Sequence, residues 1–352
     1  MIIVHTAAYN AAHTLRRTIE SILNQTYSNF IYSLTDNGST DNTGEIIKEY
    51  AVRDSRINPL RNKINRSGQG ETANRVKEYD GRPCYNDYFV YLDADDEYKS
   101  DFLEKMVRFC EDNKLDIAFC GSEYIYTDGH QRFDTPPNTR VMTGGDIVRF
   151  LPEYYQYATR FWGVFFNGHI KARLSSPRDL YDLSGMWDSK GVLRALEHAK
   201  RVGVLAENLH KYYRAPNTLS RAYNPNWFWW VNEMYEQTRM FILSRSQIND
   251  EFEKFLWVRY LIWIKYISPR IQNTNASMKV RARDIVEIFE SDRTVELLQQ
   301  DWQAIGITSN KEKFLREYIT WITGLSYDDS AQPYVKRLIC LLERYLREYC
   351  DV

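Results

Sequence analysis

The first half of this 352-residue chain alternates short apolar segments with longer amphipathic segments. The apolar segments are too short for typical helices, and turn-forming or acidic residues follow them, as is usual for buried strands. Apolar strands that are separated by helices predict a parallel sheet with helices on both faces, and therefore an α/β fold. The predicted strands are residues 2–7, 30–36, 88–93 and 115–122, and the predicted helices are residues 14–25, 43–53, 71–80 and 100–113, the last of them capped by Ser100.

A change of pattern in the second half predicts a separate helical domain. The alternation continues through a predicted hairpin around Asp128-Gly129 and a predicted helix over residues 144–155. From about residue 222 glycine becomes rare and helical periodicity dominates. We therefore predict an α/β domain at residues 1–222 and an all-α domain at residues 223–352. Its predicted helices are residues 226–246, 251–267, 282–300, 310–322 and 332–350, with the second at the centre because it is apolar on most sides.

The last predicted helix carries a heptad seam of about two repeats. Packing inside its own bundle and contact with a second subunit would each explain such a seam, so a homo-oligomer through the C-terminal helices stays open. The seam consists of Val335, Leu338, Leu342, Tyr345 and Tyr349.

Charge, cysteines and hydropathy restrict the class of protein. A net charge of -1 gives no sign of a nucleic-acid partner. The five cysteines contain no CxxC pair, so we expect reduced thiols rather than a zinc or disulfide framework. We find neither a signal peptide nor an apolar run long enough for a transmembrane segment. We expect a cytoplasmic protein, or one that is peripheral at the inner membrane face.

The segment YLDADDEY, residues 91–98, places acids directly after a predicted buried strand. Because ligands of parallel sheets sit at the carboxyl ends of strands, Asp36, Asp93, Asp95 and Asp96 are expected at one edge. Carboxylates this close are tolerated when a divalent cation neutralises them, and hard oxygen ligands suit Mg²⁺ or Mn²⁺. The alternative is a solvated acidic loop that caps the next helix.

A second polar segment, TDNGSTDNT at residues 35–43, also follows a strand. Asp36 and Asn37 offer acceptors for a nucleotide, and Gly38 permits a tight turn. The alternative is a turn that only caps the following helix.

Taken together, these motifs resemble glycosyltransferase family 2 over about residues 1–220. The resemblance implies the GT-A fold, a Rossmann-like mixed sheet with helices on both faces that binds a nucleotide-sugar, here expected to be a UDP-sugar, and Mn²⁺ or Mg²⁺. The segments that carry it are AYN (8–10), ESILNQTYSNF (20–30), DNGSTDNT (36–43), GQGETAN (68–74) and YLDADD (91–96).

The resemblance also assigns roles to individual residues. Asp95 and Asp96 would bind the metal. Asn37 stands where the family usually has a second acid, and Ala73 replaces an arginine for which Arg66 or Arg75 could compensate. The residues assigned to the nucleotide-sugar are Ala8, Tyr9, Asn10, Asp36, Asn37, Asn74, Asp93, Ala94 and Arg214.

By the same resemblance Asp188 is the catalytic base, with Asp182 and Asp179 as alternatives. A helix N-cap is the structural alternative for Asp188. Trp162, Phe165 and Trp187 are assigned to the acceptor, although core packing explains the first two equally well. Trp187 stands where a glutamate is common. His210 is either a metal ligand or a core histidine.

We therefore expect an inverting, metal-dependent transfer of a sugar from a nucleotide-sugar to a hydroxyl of a glycan or glycoprotein. The helical domain would bind the acceptor or form an oligomer, and its resemblance to domains of bacterial enzymes that extend surface glycans or adhesin O-glycans is suggestive. Two alternatives are a nucleotidyltransferase, which would need a basic glycine-rich N-terminal loop, and an inactive family member that serves as an assembly partner.

Overall fold

The computed structural model of the protein describes residues 1–63, 78–79, 82–83, 87–174, 187–214 and 223–350. The chain divides into two compact units. The first consists of Met1–Ala215 with Ser244–Ser246, and the second consists of Pro216–Leu243 with Gln247–Val352.

A ten-stranded mixed sheet forms the centre of the first unit. Its main order is β10-β12-β8-β11-β6-β1-β2-β3, with β7 paired to β12 and β9 paired to β8. Strands β1, β2, β3 and β6 run parallel, as do β8 and β12, whereas β11 is antiparallel to both β6 and β8. The strands are β1 (Ile2–Ala8), β2 (Phe30–Asp36), β3 (Ile57–Arg61), β6 (Tyr88–Tyr91), β7 (Glu97–Tyr98), β8 (Ile117–Tyr126), β9 (Gln131–Asp134), β10 (Arg140–Thr143), β11 (Val164–Asn167) and β12 (Arg201–Arg214), and a separate pair is formed by β4 (Glu78–Tyr79) and β5 (Arg82–Pro83).

Buried side chains on both faces of β1 and β2 explain why these segments read as continuous apolar runs. On one face Ile2, Val4 and Tyr32 pack in a core with side chains from the first three helices. The predicted α/β fold is therefore confirmed, including the mixed sheet that the family resemblance implies. The helices of this unit are α1 (Leu15–Leu23), α2 (Thr43–Arg53), α3 (Phe102–Asn113), α4 (Asp146–Arg149), α5 (Leu151–Tyr154), α6 (Gly168–Arg173) and α7 (Trp187–His198).

Three local predictions differ from the structure. Asp101 rather than Ser100 is the N-cap of α3. The helix predicted over 144–155 is two short helices, because Pro152 starts a new first turn, where its missing N–H has no partner to lose. Residues 78–79 are a strand, paired antiparallel with β5, instead of a helix end. The rest of that predicted helix, residues 71–77 and 80, lies outside the described residues.

The second unit is helical throughout its described secondary structure. Its longest helix, α9, starts at the side-chain cap of Asn249, which accepts from the N–H of Phe252 at 3.0 Å. The single helix predicted over 282–300 is two helices that meet at Ser291, whose extended backbone ends one and starts the next. The helices are α8 (Trp227–Leu243), α9 (Asp250–Gln272), α10 (Met278–Glu290), α11 (Asp292–Gln299), α12 (Lys311–Thr323) and α13 (Gln332–Tyr349).

The heptad seam of α13 lies inside its own unit. Val335, Leu338 and Leu342 are buried as α13 packs against α10 and α12. The hydroxyl of Tyr345 donates to the carbonyl of Phe289 at 2.7 Å. Intramolecular packing therefore accounts for the seam. None of the helices in the described part of the chain is long and apolar enough to cross a membrane.

Candidate active site

The acidic loop, residues 93–96, follows β6 at the carboxyl edge of the parallel strands. The hydroxyl of Thr6 in β1 donates to the carbonyl of Leu92 at 2.8 Å, and the N–H of Leu92 donates to the carbonyl of His5 at 3.0 Å. The N–H of Asp96 then donates to the carbonyl of Asp93, which turns the chain toward β7. The end of β1 thus fixes where the loop begins.

Asp93 and Asp95 occupy an unfavourable environment for charge. Asp93 as a residue is exposed, yet desolvation of its carboxyl group and then the charges of Asp96 and Asp95 raise its pKa to about 8. Desolvation also raises the pKa of Asp95, against a lowering contribution from the nearby charge of Arg17. A cation bound at this edge would relieve both effects.

Asp96 faces inward. Its Oδ1 accepts from the N–H of Tyr213 at 2.9 Å, and its Oδ2 lies 3.2 Å from Nε2 of His210. Nδ1 of His210 lies 3.1 Å from the hydroxyl of Ser122, so both ring nitrogens face polar groups of the sheet. Asp96 and His210 are both completely buried. Burial raises the pKa of Asp96 and lowers that of His210, because both charged forms lose hydration.

Asp36 and Asn37 end β2 and are nearly completely buried. Oδ1 of Asp36 accepts from the N–H of Ser39 at 2.8 Å, and its Oδ2 lies 3.3 Å from Nε of Arg61. Oδ1 of Asn37 accepts from Nδ2 of Asn62 at 2.9 Å. These side chains form a hydrogen-bonded floor at the ends of β2 and β3.

The AYN segment ends β1 and is tied to the polar segment after β2. Asn10 adopts positive φ (49°), its N–H donates to Ser39 Oγ at 3.0 Å, and its Oδ1 accepts from the N–H of Thr40 at 2.9 Å. Ala8 is buried, whereas Tyr9 is exposed. The two segments that sequence analysis assigned to the nucleotide therefore lie together.

The remaining assigned residues lie near the other half of the sheet. Trp162 is half-buried, its ring stacks on Tyr212 at 5.4 Å between centroids, and it forms an isolated bridge with Tyr91. Phe165 is completely buried between Tyr88 and Phe102, so it packs in the core and presents no surface to an acceptor. Nη1 of Arg214 donates to the hydroxyl of Tyr126 at 3.1 Å.

Several assigned residues lie outside the described part of the chain: Arg66, Ala73, Asn74, Arg75, Asp179 and Asp182. Trp187 and Asp188 are the first two residues of α7, and their side chains are not among those described. The start of α7 is nevertheless anchored, because Oγ of Ser189 donates to the carbonyl of Thr159 at 2.6 Å. A Cβ at Gly191 would lie 2.5 Å from the ring of Phe161, so α7 approaches the segment before Trp162 closely.

Sequence reasoning missed Arg17 and Tyr213. The guanidinium carbon of Arg17 lies 3.5 Å above the ring of Tyr213, and Nη2 of Arg17 donates to the carbonyl of Asp95 at 2.6 Å. One available signal is the spacing of Thr14, Arg17, Thr18 and Ser21, which forms a polar stripe beside the apolar face of the predicted helix.

The acidic loop suits a hard divalent cation because its donor atoms are carboxylate oxygens. Within the described ranges, no group of three or more His, Cys, Asp and Glu side chains could hold a metal ion by itself. Asp96 is turned toward His210, which leaves Asp95 and Asp93 as the carboxylates of the loop that are not completely buried. These residues fit a cation that takes its other ligands from a bound substrate.

The fold is similar to that of a solved bacterial protein. The chain superposes on the crystal structure of Staphylococcus aureus TarS residues 1–349 in complex with UDP-GlcNAc with a TM-score of 0.63 and 14% identity, covering 100% of this chain and 93% of that one. The two chains therefore share a fold, which agrees with the GT-A fold expected from the sequence.

Sequence comparison finds similarity to known glycosyltransferases. Residues 3–172 match the family model described as "Glycosyl transferase family 2". The chain is 30% identical to glycosyltransferase GlyA of Streptococcus pneumoniae over 350 residues, which is 97% of this chain and 46% of GlyA. It is 29% identical to the uncharacterized glycosyltransferase EpsJ of Bacillus subtilis over 60% of each chain. The chain thus spans less than two thirds of each of these two relatives.

Proposed function

We propose that the protein is an inverting, metal-dependent glycosyltransferase that moves a sugar from a UDP-sugar to a hydroxyl of a glycan or glycoprotein. The observation that carries this proposal is the acidic loop at the carboxyl edge of β6, where three carboxylates with raised pKa values are gathered. Such a site is suited to a cation with a diphosphate. The UDP-GlcNAc complex of TarS, which shares the fold, supports a UDP-sugar as donor.

The donor would lie along the edge formed by the segments after β1, β2 and β6. The floor formed by Asp36 and Asn37 would support the nucleoside, as would the AYN segment. Asp95, assisted by Asp93, would hold Mn²⁺ or Mg²⁺, which offsets negative charge on the departing nucleotide. Asp96 would support the loop through His210 and the backbone of β12.

Asp188 is the proposed catalytic base. Its helix begins next to the segment that leads to Trp162, through the contacts of Ser189 and Gly191. The acceptor oxygen bonds to the anomeric carbon as the bond from that carbon to the phosphate oxygen breaks. The acceptor proton passes to the Asp188 carboxylate, and UDP leaves.

Trp162 is the proposed acceptor contact. Its ring stacks on Tyr212, and its buried indole Nε1 has no hydrogen-bond partner in the described part of the chain. A sugar could stack on the exposed part of this ring. The helical unit is proposed to bind the remainder of the acceptor or to form an oligomer.

The test is a screen of UDP-sugars for UDP release with Mn²⁺ or with EDTA, followed by mass spectrometry of the product. Both Asp95→Ala and Asp188→Asn should reduce release at least about 100-fold. Only Asp95→Ala should also lose Mn²⁺-dependent UDP binding. Asp112→Asn, on the exposed side of α3, is the control and should behave as wild type.

The outcome that contradicts this proposal is activity that resists EDTA and survives both substitutions. Retention of the donor's anomeric configuration in the product would contradict the inverting mechanism.

A further inference from the structure

Helix α1, with its N-cap residue Thr14, contacts successive backbone groups of the acidic loop. The hydroxyl of Thr14 donates to the carbonyl of Ala94 at 2.9 Å, and Nη2 of Arg17 donates to that of Asp95 at 2.6 Å. The hydroxyl of Thr18 donates to the carbonyl of Asp96 at 2.8 Å. Three consecutive carbonyls of the loop are thus held by one face of one helix.

Arg17 is the charged member of this set, and it also connects the loop to β12. Its Nε lies 2.9 Å from Oε1 of Glu97, which also accepts from the hydroxyl of Tyr213 at 2.6 Å. Its guanidinium stacks on the ring of Tyr213, whose own N–H donates to Asp96. The planar guanidinium can donate several hydrogen bonds while it stacks on the ring, which the compact ammonium of a lysine cannot do.

We infer that Arg17 is a positioning residue that holds the acidic loop in the conformation that receives the nucleotide and its cation. This inference rests on the proposed function. Carboxylates at this density repel one another, and the cation that would oppose the repulsion arrives only with the donor. A fixed guanidinium bonded to the backbone keeps the loop in place before the donor binds, so that less ordering is required on binding.

The direction in which metal affinity changes when Arg17 is removed distinguishes a positioning role from a purely electrostatic one. Arg17 lies close enough to Asp95 for its charge to act on that carboxylate. If its charge alone mattered, removal of a cation beside a cation site would strengthen metal binding. If Arg17 positions the loop, its removal weakens metal binding despite the more favourable charge.

The experiment measures Mn²⁺ affinity in the presence of UDP, by electron paramagnetic resonance of free Mn²⁺, and UDP affinity by calorimetry. In the full chain, Arg17→Gln should weaken Mn²⁺-UDP binding about tenfold. Arg17→Lys, which keeps the charge but loses the planar group, should recover only part of the loss. Arg16→Gln is the matched control, since Arg16 is next in sequence and pairs with Glu49 on the exposed side at 2.6 Å.

Unchanged or tighter Mn²⁺-UDP binding by a folded Arg17→Gln variant would overturn the inference, as would an equal loss in Arg16→Gln. If Arg17→Gln no longer shows a cooperative thermal transition, Thr14→Val replaces it. Thr14→Val removes the single hydrogen bond from Thr14 to the loop and should weaken Mn²⁺-UDP binding about threefold. An affinity equal to that of the wild type in this variant would overturn the inference. A wild-type protein that fails to bind Mn²⁺-UDP instead contradicts the proposed function, so the two failures are distinguishable.

Discussion

Asn37 shows how burial explains a departure from a family pattern. The resemblance predicts a second acid at this position, yet the residue is only 4% exposed and lies beside Asp36, which is equally buried. Arg61, near Asp36, is the only cation for which the described residues show a pairing with this floor. A second carboxylate there would add another buried charge, whereas the amide bonds to Asn62 without charge. Sequence reasoning located the residue, but not its burial or its partner.

His5 should make stability depend on pH. It is buried in β1 with Nδ1 3.3 Å from the hydroxyl of Ser33, and burial, followed by the charge of Lys171, lowers its pKa to about 4. The unfolded chain therefore takes up a proton as pH falls below about 6.5, while the folded chain does so only near pH 4. The stability present above pH 6.5 is lost through this window.

Between pH 7 and pH 5 the wild type should therefore lose about 2 kcal/mol more unfolding free energy than His5→Gln, as measured by urea denaturation. His13→Gln, at an exposed position, should follow the wild type. Parallel pH profiles for wild type and His5→Gln would show that His5 does not titrate in this way.

At the scale of elements, periodicity located the long strands of the first half and the helices of the second unit, but it missed short elements such as β3, β10, β11 and α6. β2 and α2 begin and end at the predicted residues, because apolar runs and capping residues mark both ends. The predicted elements are wrong where backbone pairing or local backbone conformation determines the structure. Examples are the pairing of β4 with β5 and the break between two helices at Ser291. The antiparallel insertion of β11 between β6 and β8 was not predictable either, since strand order depends on distant contacts.

Helix α13 allows a test of whether its heptad seam packs within its own helical unit or against a second subunit. Leu342 is completely buried within the helical unit, so Leu342→Ala should lower the unfolding free energy by about 3 kcal/mol. The molecular mass by light scattering should not change. Glu343→Ala, on the exposed side, should alter neither quantity. A change of mass with little loss of stability would indicate a subunit contact instead.

At the scale of the whole molecule, the boundary between the units is more complex than a single linker. Residues 244–246 lie between two helices of the second unit but belong to the first. Nη2 of Arg245 donates to the carbonyl of Leu196 at 2.6 Å, at the end of α7. A cation at the carboxyl end of a helix satisfies carbonyls that have no intrahelical donor.

Arg245→Ala in the full chain should therefore lower the unfolding free energy by about 2 kcal/mol, measured in urea. Arg239→Ala provides the comparison, because Arg239 is exposed on α8. Equal stability of the two variants would mean that Arg245 adds nothing to the end of α7.

The course of the chain between the units has a practical consequence. The backbone crosses from one unit to the other three times, at 215–216, 243–244 and 246–247. A gene shortened after residue 222 would encode a catalytic part that lacks one of its own pieces. Such a shortened protein would lack Arg245 and its hydrogen bond to the carbonyl of Leu196 at the end of α7.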